Sequence, residues 1–396
     1  MRLADREVAI ADVRRHPGRY TSLFVRARSE VGHAVCLCRT DNVVRLVIRC
    51  RSGRYHLANW PLGGHGHAPD CRWYRSPSSV SGLSDYAGAF STTDEGTSIH
   101  LSTPLTVCGA SAPRGERSKH QAGTASPVTG RRSVGLLALL HFLWESARLN
   151  VWHPQDRQRT WRTCQVLLDE QVGDCWVNGM PLKDTLWIVP AFQRHHADRV
   201  SSAWQRYLAQ LTGPGRARRR GLVLGEVRAV EPTEHGVRMR LAHQRARLYA
   251  STPLMHRVRR SFPSVFSELA DRDGRRQVVL CLIERSRHGY AVIADLAAML
   301  TTDSYLPADS SHEAEMATAL VAAGRAFVKP LHYNGGSVFP DFVLVDSDPD
   351  TYLEVWGVRG RKRYEARKRT KQAIYRESGR TLLEWDVRDP LPGLSR

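Results

Sequence analysis

Apolar residues recur at helical spacing in several stretches of the chain. From Ser133 to Leu149 the residues Leu136, Leu137, Leu140, Leu143 and Trp144 form one stripe, which predicts a helix. His141 and Glu145 lie four apart on it and read as a solvated pair. Asp156 to Leu168 predicts a second helix with Trp161 and Leu167 inward, and Phe192 to Leu211 a third carrying Trp204, Tyr207 and Leu208. Leu186 to Pro190 reads as a short strand between them. The run Gly213 to Arg220 breaks the pattern with Gly and Pro and reads as a solvated arginine loop.

From Gly221 the period changes to two. Leu222 to Val230, Gly236 to Leu241, Arg247 to Ala250, Gln277 to Ile283 and Gly289 to Ala294 read as short strands, with Leu254 to Leu269 helical between them. Their density suggests a small barrel or half-barrel of OB type. An alternative places the last two strands in the C-terminal sheet.

Near the N-terminus, Ala34 to Cys38, Val43 to Ile48 and Arg54 to Leu57 predict a small β module. Its chemistry is a Cys-x-Cys pair followed about thirty residues later by His67-x-x-x-Cys71. Two such pairs offer four soft or borderline ligands, so Cys36, Cys38, His67 and Cys71 are the candidate set for structural Zn²⁺. His65 and Cys50 are the substitutes. The competing reading makes the cysteines small buried hydrophobes on a strand. Ser76 to Arg132 is rich in Ser, Thr, Gly and Pro and reads as a loop-rich linker, with short strands near His100 to Val107.

The C-terminal stretch carries a second candidate site. A helix opens at Ser310, with Met316, Leu320 and Val321 as its buried stripe and Glu313 in register with it; Glu315 is not. Phe342 to Val345 and Tyr352 to Trp356 flank a Ser-Asp-Pro-Asp turn and predict a hairpin. Asp341 and Glu354 have equal parity about that turn, so they lie on one face as near-diagonal neighbours. Two carboxylates that close repel unless a cation intervenes, and oxygen ligands suit Mg²⁺ or Mn²⁺. A helix from Arg359 to Arg380 follows, with ten Lys or Arg and two Glu. Tyr364, Arg367, Lys371 and Tyr375 share one of its faces, which directs Arg367 and Lys371 toward the carboxylates and leaves the tyrosines to pack on the sheet. Leu382 to Val387 is a closing strand.

This order resembles the PD-(D/E)xK nuclease superfamily: a helix with Glu, a hairpin with Pro340-Asp341 and Glu354-Val355-Trp356, a helix, a strand. Trp356 stands at the signature Lys position. Branches of that superfamily move the cation to the following helix, which points to Lys371 with Arg367. The resemblance covers the last quarter to third of the chain. It implies that Asp341 and Glu354 bind the catalytic metal and that Glu313 binds or orients a second ion or water. Lys371 would stabilise charge on the phosphate, and Arg361, Lys362, Arg363, Tyr364 and Lys368 would contact nucleic acid. The whole chain also resembles an uncharacterised bacterial family, domain of unknown function 1173, often found on mobile elements. That likeness lies in Cys36-Leu37-Cys38, His67 to Cys71, Leu143-Trp144-Glu145, Gly225-Glu226-Val227, Lys329-Pro330-Leu331 and Pro340-Asp341-Phe342.

Composition narrows the class. The chain has 396 residues and a net charge of +19, which favours a polyanionic partner, nucleic acid and DNA first. Eight cysteines over this length are too few for a disulfide scaffold. Met1 to Arg15 is charged throughout and the apolar run Val134 to Trp144 is too short to span a bilayer, so no membrane partner and a cytoplasmic location are expected. The expected fold class is α+β multidomain. It comprises a zinc-binding module at 1–80, a linker at 81–132, a helical segment at 133–212, a β-rich domain at 221–295 and an α/β nuclease-like core at 300–396. The functional expectation is a metal-dependent nuclease. The alternatives are an inactive nucleic-acid-binding protein on the same fold and a zinc-stabilised interaction protein of a mobile-element system.

Overall fold

The computed structural model describes residues 1–51, 53–61, 63–75, 77, 81–82, 86, 88–93, 95–108, 133–156, 158–212, 217–267, 274–331, 339–357 and 362–395. Strands and helices are mixed throughout, so the fold is α+β. Five strands form the N-terminal sheet: β1 (Arg2–Leu3), β2 (Arg6–Glu7), β3 (Ala34–Cys36), β4 (Val44–Arg51) and β5 (Arg54–Asn59), in the order β2-β1-β3-β4-β5. Helices α1 (Ile10–Arg15) and α2 (Thr21–Arg26) cover it, and Phe24, Leu3, Leu46 and Trp73 close a small core of its own.

The next unit contains β6 (Phe90–Thr92), β7 (Thr97–Ile99), β8 (Thr106–Cys108), α3 (Leu136–Ser146), β9 (Val151–Trp152) and α4 (Trp161–Val172). It continues with β10 (Cys175–Val177), β11 (Met180–Pro181), α5 (Leu182–Thr185), β12 (Leu186–Ile188) and α6 (Ala197–Gln210). Thr160 caps α4 through a reciprocal pair with Thr163, which sets its start at Trp161, five residues later than the expected Asp156. Helix α3 is buried nearly all round, as its run of Leu, Phe and Trp requires. His141 and Glu145 are buried with it, at 5% and 8% exposure, so the solvated-pair reading is corrected. The error lay in taking α3 for a one-faced helix.

The period-two region closes into a barrel. After β13 (Ala217–Arg219) come β14 (Gly221–Thr233), β15 (Gly236–Leu241), β16 (Arg247–Ala250), α7 (Thr252–Ser261), β17 (Arg276–Arg285) and β18 (Ala291–Thr301). Pairing runs β14-β15-β16-β18-β17 and back to β14, with β16 parallel to β18. Five strands in this order, with a helix after the third, have the connectivity of an OB barrel. The last two strands therefore belong to the barrel and not to the C-terminal sheet. Val278 to Ile283 are buried on both faces, because one side fills the barrel and the other lies under α3. At the β14–β15 turn a side chain on Gly236 would meet the Ala250 carbonyl at 2.3 Å, so glycine permits this closure. One continuous core joins the barrel to α3, α4 and α6. Residues Ala217 to Arg219 are not a solvated loop: they pair antiparallel with β8, while Gly213 to Arg216 lie outside the described residues.

The C-terminal unit follows β19 (Pro307–Ala308). It contains α8 (Ser311–Ala322), β20 (Phe327–Val328), β21 (Phe342–Leu344), β22 (Thr351–Trp356), α9 (Lys362–Glu377) and β23 (Thr381–Asp386). Its sheet runs β23-β22-β21-β20-β9, antiparallel except for β22 beside β23. Strand β9, from the middle of the chain, forms one edge. Leu353 and Val355 face the α8 side and its core of Met316, Ala317 and Leu320. Tyr352 meets Tyr375 of α9 on the opposite face. The predicted hairpin is present, with Phe342 opposite Leu353. Carrying that register one position further sets Asp341 opposite Glu354, directly rather than diagonally.

Candidate metal centre and acid–amine cluster

The N-terminal ligands come together at the end of β3 and in the loop that follows β5. Cys36 and Cys38 are brought to one side by their i, i+2 spacing, and a turn from Ala68 to Cys71 returns the chain to them. One ligand atom from each of Cys36, Cys38, His67 and Cys71 lies within 4.8 Å of all the others. Cys36 Sγ is 3.7 Å from Cys71 Sγ, and His67 Nδ1 is 3.4 Å from Cys38 Sγ and 3.5 Å from Cys71 Sγ. A tetrahedral zinc with Zn–S of about 2.3 Å and Zn–N of about 2.0 Å demands S–S near ~3.8 Å and S–N near ~3.5 Å. These spacings fit, and the cluster could hold a metal ion such as zinc. The substitutes fall away: Cys50 and His65 are exposed and outside the cluster. The thiols are incompatible with a metal-free, fully ionised state. The hydrogen bond with Cys36 and burial push Cys71 up to about 12, while the same bond lowers Cys36. A dication removes that conflict by letting all three thiolates ionise. The seven cysteines with described side chains are all free of disulfides.

The second cluster lies where α8, β20, β21, β22 and α9 meet. Glu354 projects from β22 and is 1% exposed. Lys371 of α9 donates to both its oxygens at 2.8 Å and to the Phe339 carbonyl at 2.8 Å. Tyr375, one turn on, donates to Glu354 Oε1 at 2.7 Å. Beside this group Asp341 Oδ2 accepts the Val355 amide at 2.7 Å. Burial and the neighbouring Glu354 raise the Asp341 carboxyl to about 6, against the pull of Lys329 and Lys371.

Across from it, α8 is capped by Ser310, which accepts the Glu313 amide at 3.2 Å, and Glu313 in turn accepts the Asp309 amide at 3.0 Å. The first-turn acid is thus a capping residue, but not only that. Lys329, fully buried after β20, places its amine 2.8 Å from Glu313 and 2.9 Å from Asp309. Burial raises Glu313 to about 7, with Asp309 and Asp341 adding and Lys329 opposing. Burial works against the Lys329 charge, yet Asp309, Glu313 and Asp341 outweigh it and hold the amine firmly protonated.

Of the residues expected here, Glu313, Asp341, Glu354 and Lys371 share one neighbourhood. The three acids do not meet at one point. Among the described residues, only the Cys/His set brings three or more such ligand atoms within 4.8 Å of one another. Two lysine amines sit among the acids instead. The side chains of Arg361, Lys362, Arg363 and Arg367 lie outside the described residues. Tyr364 accepts the Gly357 amide at 3.1 Å and meets Trp356 edge-on, and Lys368 lies 4.8 Å over the Trp356 ring. Trp356 fills the signature Lys position, its indole donating to Glu384 at 2.7 Å with Lys371 5.9 Å over the ring. Glu315 is exposed.

Sequence reasoning missed three participants. Lys329 is a charge inside an apolar strand run, a costly placement that signals a buried partner. Asp309 gives no periodic signal, and neither packing on the sheet nor stacking on a base, the two roles open to Tyr375 from sequence, includes its bond to Glu354.

A mixed α+β protein with a Cys/His cluster at one end and a buried acid–amine cluster at the other is thereby defined. The chain belongs to the family described as "Protein of unknown function (DUF1173)", whose model matches residues 11–386. No curated protein and no solved structure matches the chain. Among the described residues no helix is long and apolar enough to cross a membrane.

Proposed function

We propose that this protein is a metal-dependent nuclease acting on nucleic acid, DNA first, with its chemistry in the acid–amine cluster and a structural zinc in the N-terminal module. The observation that carries the reading is Lys371. An amine from α9 reaches Glu354 beside Asp341, on the face where a nuclease of the PD-(D/E)xK kind keeps its lysine two residues after the glutamate. The order of elements supports the same reading: α8 with Glu313, three antiparallel strands bearing Asp341 and Glu354, then α9 and a parallel β23.

The donor set suits a hard cation, since Asp341 and Glu354 offer oxygen only. Mg²⁺ or Mn²⁺ held there would supply Lewis acidity and lower the pKa of a bound water. Lys371, with Tyr375 fixing Glu354 beneath it, places a positive charge where a phosphoryl oxygen would gather negative charge. Lys329 holds Glu313 in place. Asp309, half exposed on the same amine, marks the open side of the cluster. The basic face of α9 would then contact phosphates without reading sequence.

The test is cleavage of plasmid and single-stranded DNA in Mg²⁺ or Mn²⁺ by the full chain with its zinc bound. The expected outcome is cleavage that falls about 1000-fold, ~4 kcal/mol, in Asp341→Asn. Binding without cleavage in every divalent ion would favour the second reading, an inactive nucleic-acid-binding protein. That reading draws on Trp356 at the signature position and on the lysines that already neutralise the acids.

A further inference from the structure

A cleft of about 1400 Å³ lies between the N-terminal module and the unit that follows it. Ion pairs join its two walls. Arg49 of β4 and His56 of β5 reach Asp174 at 2.8 and 2.9 Å, and Arg72 reaches Glu170 of α4 at 2.9 Å. Small-molecule pockets measure roughly 300–1,000 Å³, so this space suits a larger guest. Strand β5 stands last in the order β2-β1-β3-β4-β5, and all six of its residues, Arg54 to Asn59, line the cleft. The same cleft is lined by Phe90, Ser91 and Thr92 of β6, the end strand of the sheet β11-β10-β7-β6. The cleft thus runs along the borders of two sheets.

An end strand has a row of backbone amides and carbonyls that its own sheet leaves unpaired. Among the described residues, no strand or turn takes up that row on β5. Proteins usually blunt such an edge with Pro, Lys or a bulge. Strand β5 has none of these. Its register with β4 runs unbroken, from Leu46 opposite Asn59 to Arg51 opposite Arg54. From Tyr55 to Asn59 it is half-buried, sheltered by the cleft instead of open to solvent. The surrounding side chains fix what a guest must carry. Ile10 and Val13 of α1 and Phe142 of α3 offer apolar surface. Arg54, at the start of β5, is exposed and has no ion-pair partner among the described residues.

We propose that β5 accepts a sixth strand from a partner protein. The occupant is an extended peptide, apolar along its length and acidic at the end beside Arg54. A strand matching β5 spans about 20 Å. Only a polypeptide backbone offers donors and acceptors at the repeat of a sheet edge, so the edge decides the class of guest. Main-chain bonds supply affinity, while the apolar walls and Arg54 supply selectivity. The cleft uses no residue of the acid–amine cluster, so loss of the nuclease reading leaves it standing.

The experiment is selection of phage-displayed random peptides of about eight residues on the full chain with zinc bound and no added Mg²⁺. Sequences rich in Val, Ile, Thr or aromatic residues, with Asp or Glu at one end, are enriched. The selected peptide, synthesised, slows hydrogen exchange of the amides at 54–59. N-methylation of its backbone, one amide at a time, weakens binding about tenfold at alternate positions, where each amide faces β5. Arg54→Glu, a change at an exposed side chain, removes the preference for the acidic end. The proposal is overturned if no peptide is enriched, if exchange at 54–59 is unchanged, or if N-methylation has no effect at any position. Displacement of the peptide by an oligothymidylate would also overturn it and make the cleft a nucleic-acid site.

Discussion

The two clusters gather side chains from distant positions, yet they solve the charge problem in opposite ways. The Cys/His set contains no cation of its own: three thiols and an imidazole crowd within 4.8 Å. The acid–amine cluster brings its own cations. Lys329 and Lys371 each sit at 2.8 Å from a buried carboxylate, and the acids stay apart. The first arrangement could take a metal ion such as zinc as its counter-charge. The second has its buried carboxylates Glu313 and Glu354 paired with lysines of the chain itself. Local geometry fixes the first and tertiary packing the second, so the two should respond differently to metal removal, mutation and pH.

The largest expected effect is on the N-terminal side. Structural zinc in small modules contributes apparent binding free energies of ~10 kcal/mol or more. Cys71→Ser should abolish stoichiometric zinc by elemental analysis and unfold the module, read as proteolysis within the first 75 residues. Mg²⁺-dependent behaviour of the C-terminal cluster should persist. The converse change is Lys329→Met. It strands Glu313 in the interior, and breaking a buried pair on one side costs about 3–5 kcal/mol. Thermal melting should fall accordingly while zinc content stays full. Loss of zinc in this variant would show that the two regions are not independent.

A smaller effect concerns pH. Burial raises Glu313 to about 7 and Asp341 to about 6, both above their unfolded values near ~4. A raised carboxyl means that the folded state binds more protons, so this stabilisation is full below the unfolded pKa. It is lost as pH rises through about 6 and about 7. In the absence of Mg²⁺, the protein should melt at a higher temperature near about pH 5 than near about pH 8, and Glu313→Gln should flatten that slope. Added Mg²⁺ should stabilise more at the higher pH, where both acids are charged.

The same contrast explains what could be read from the chain. Cys36, Cys38, His67 and Cys71 were legible because ligand spacing is written along the sequence. The barrel strands were legible from their period of two, while the choice between a closed barrel and two strands given to the C-terminal sheet rests on β14 pairing with β17, some fifty residues away. At the C-terminal site, parity placed Asp341 and Glu354 on one face and the α9 periodicity found Lys371. Lys329 and Asp309 escaped because their meaning lies in a contact between β20 and the start of α8, and no local period encodes it. His141 and Glu145 misled for a related reason. Their four-residue spacing suits solvent, but α3 is enclosed on all sides by partners distant in sequence.

The nuclease proposal requires the lysine-held acids to form a divalent-ion site. Its most direct test is a Mn²⁺ titration by electron paramagnetic resonance on the zinc-loaded full chain, comparing the native protein with Asp341→Asn, Glu354→Gln and the exposed control Glu315→Gln. The expected result is Mn²⁺ binding in the native protein and the control, and its loss in both site variants with zinc retained. Native protein that binds no Mn²⁺, or binding that survives both Asp341→Asn and Glu354→Gln, would contradict it.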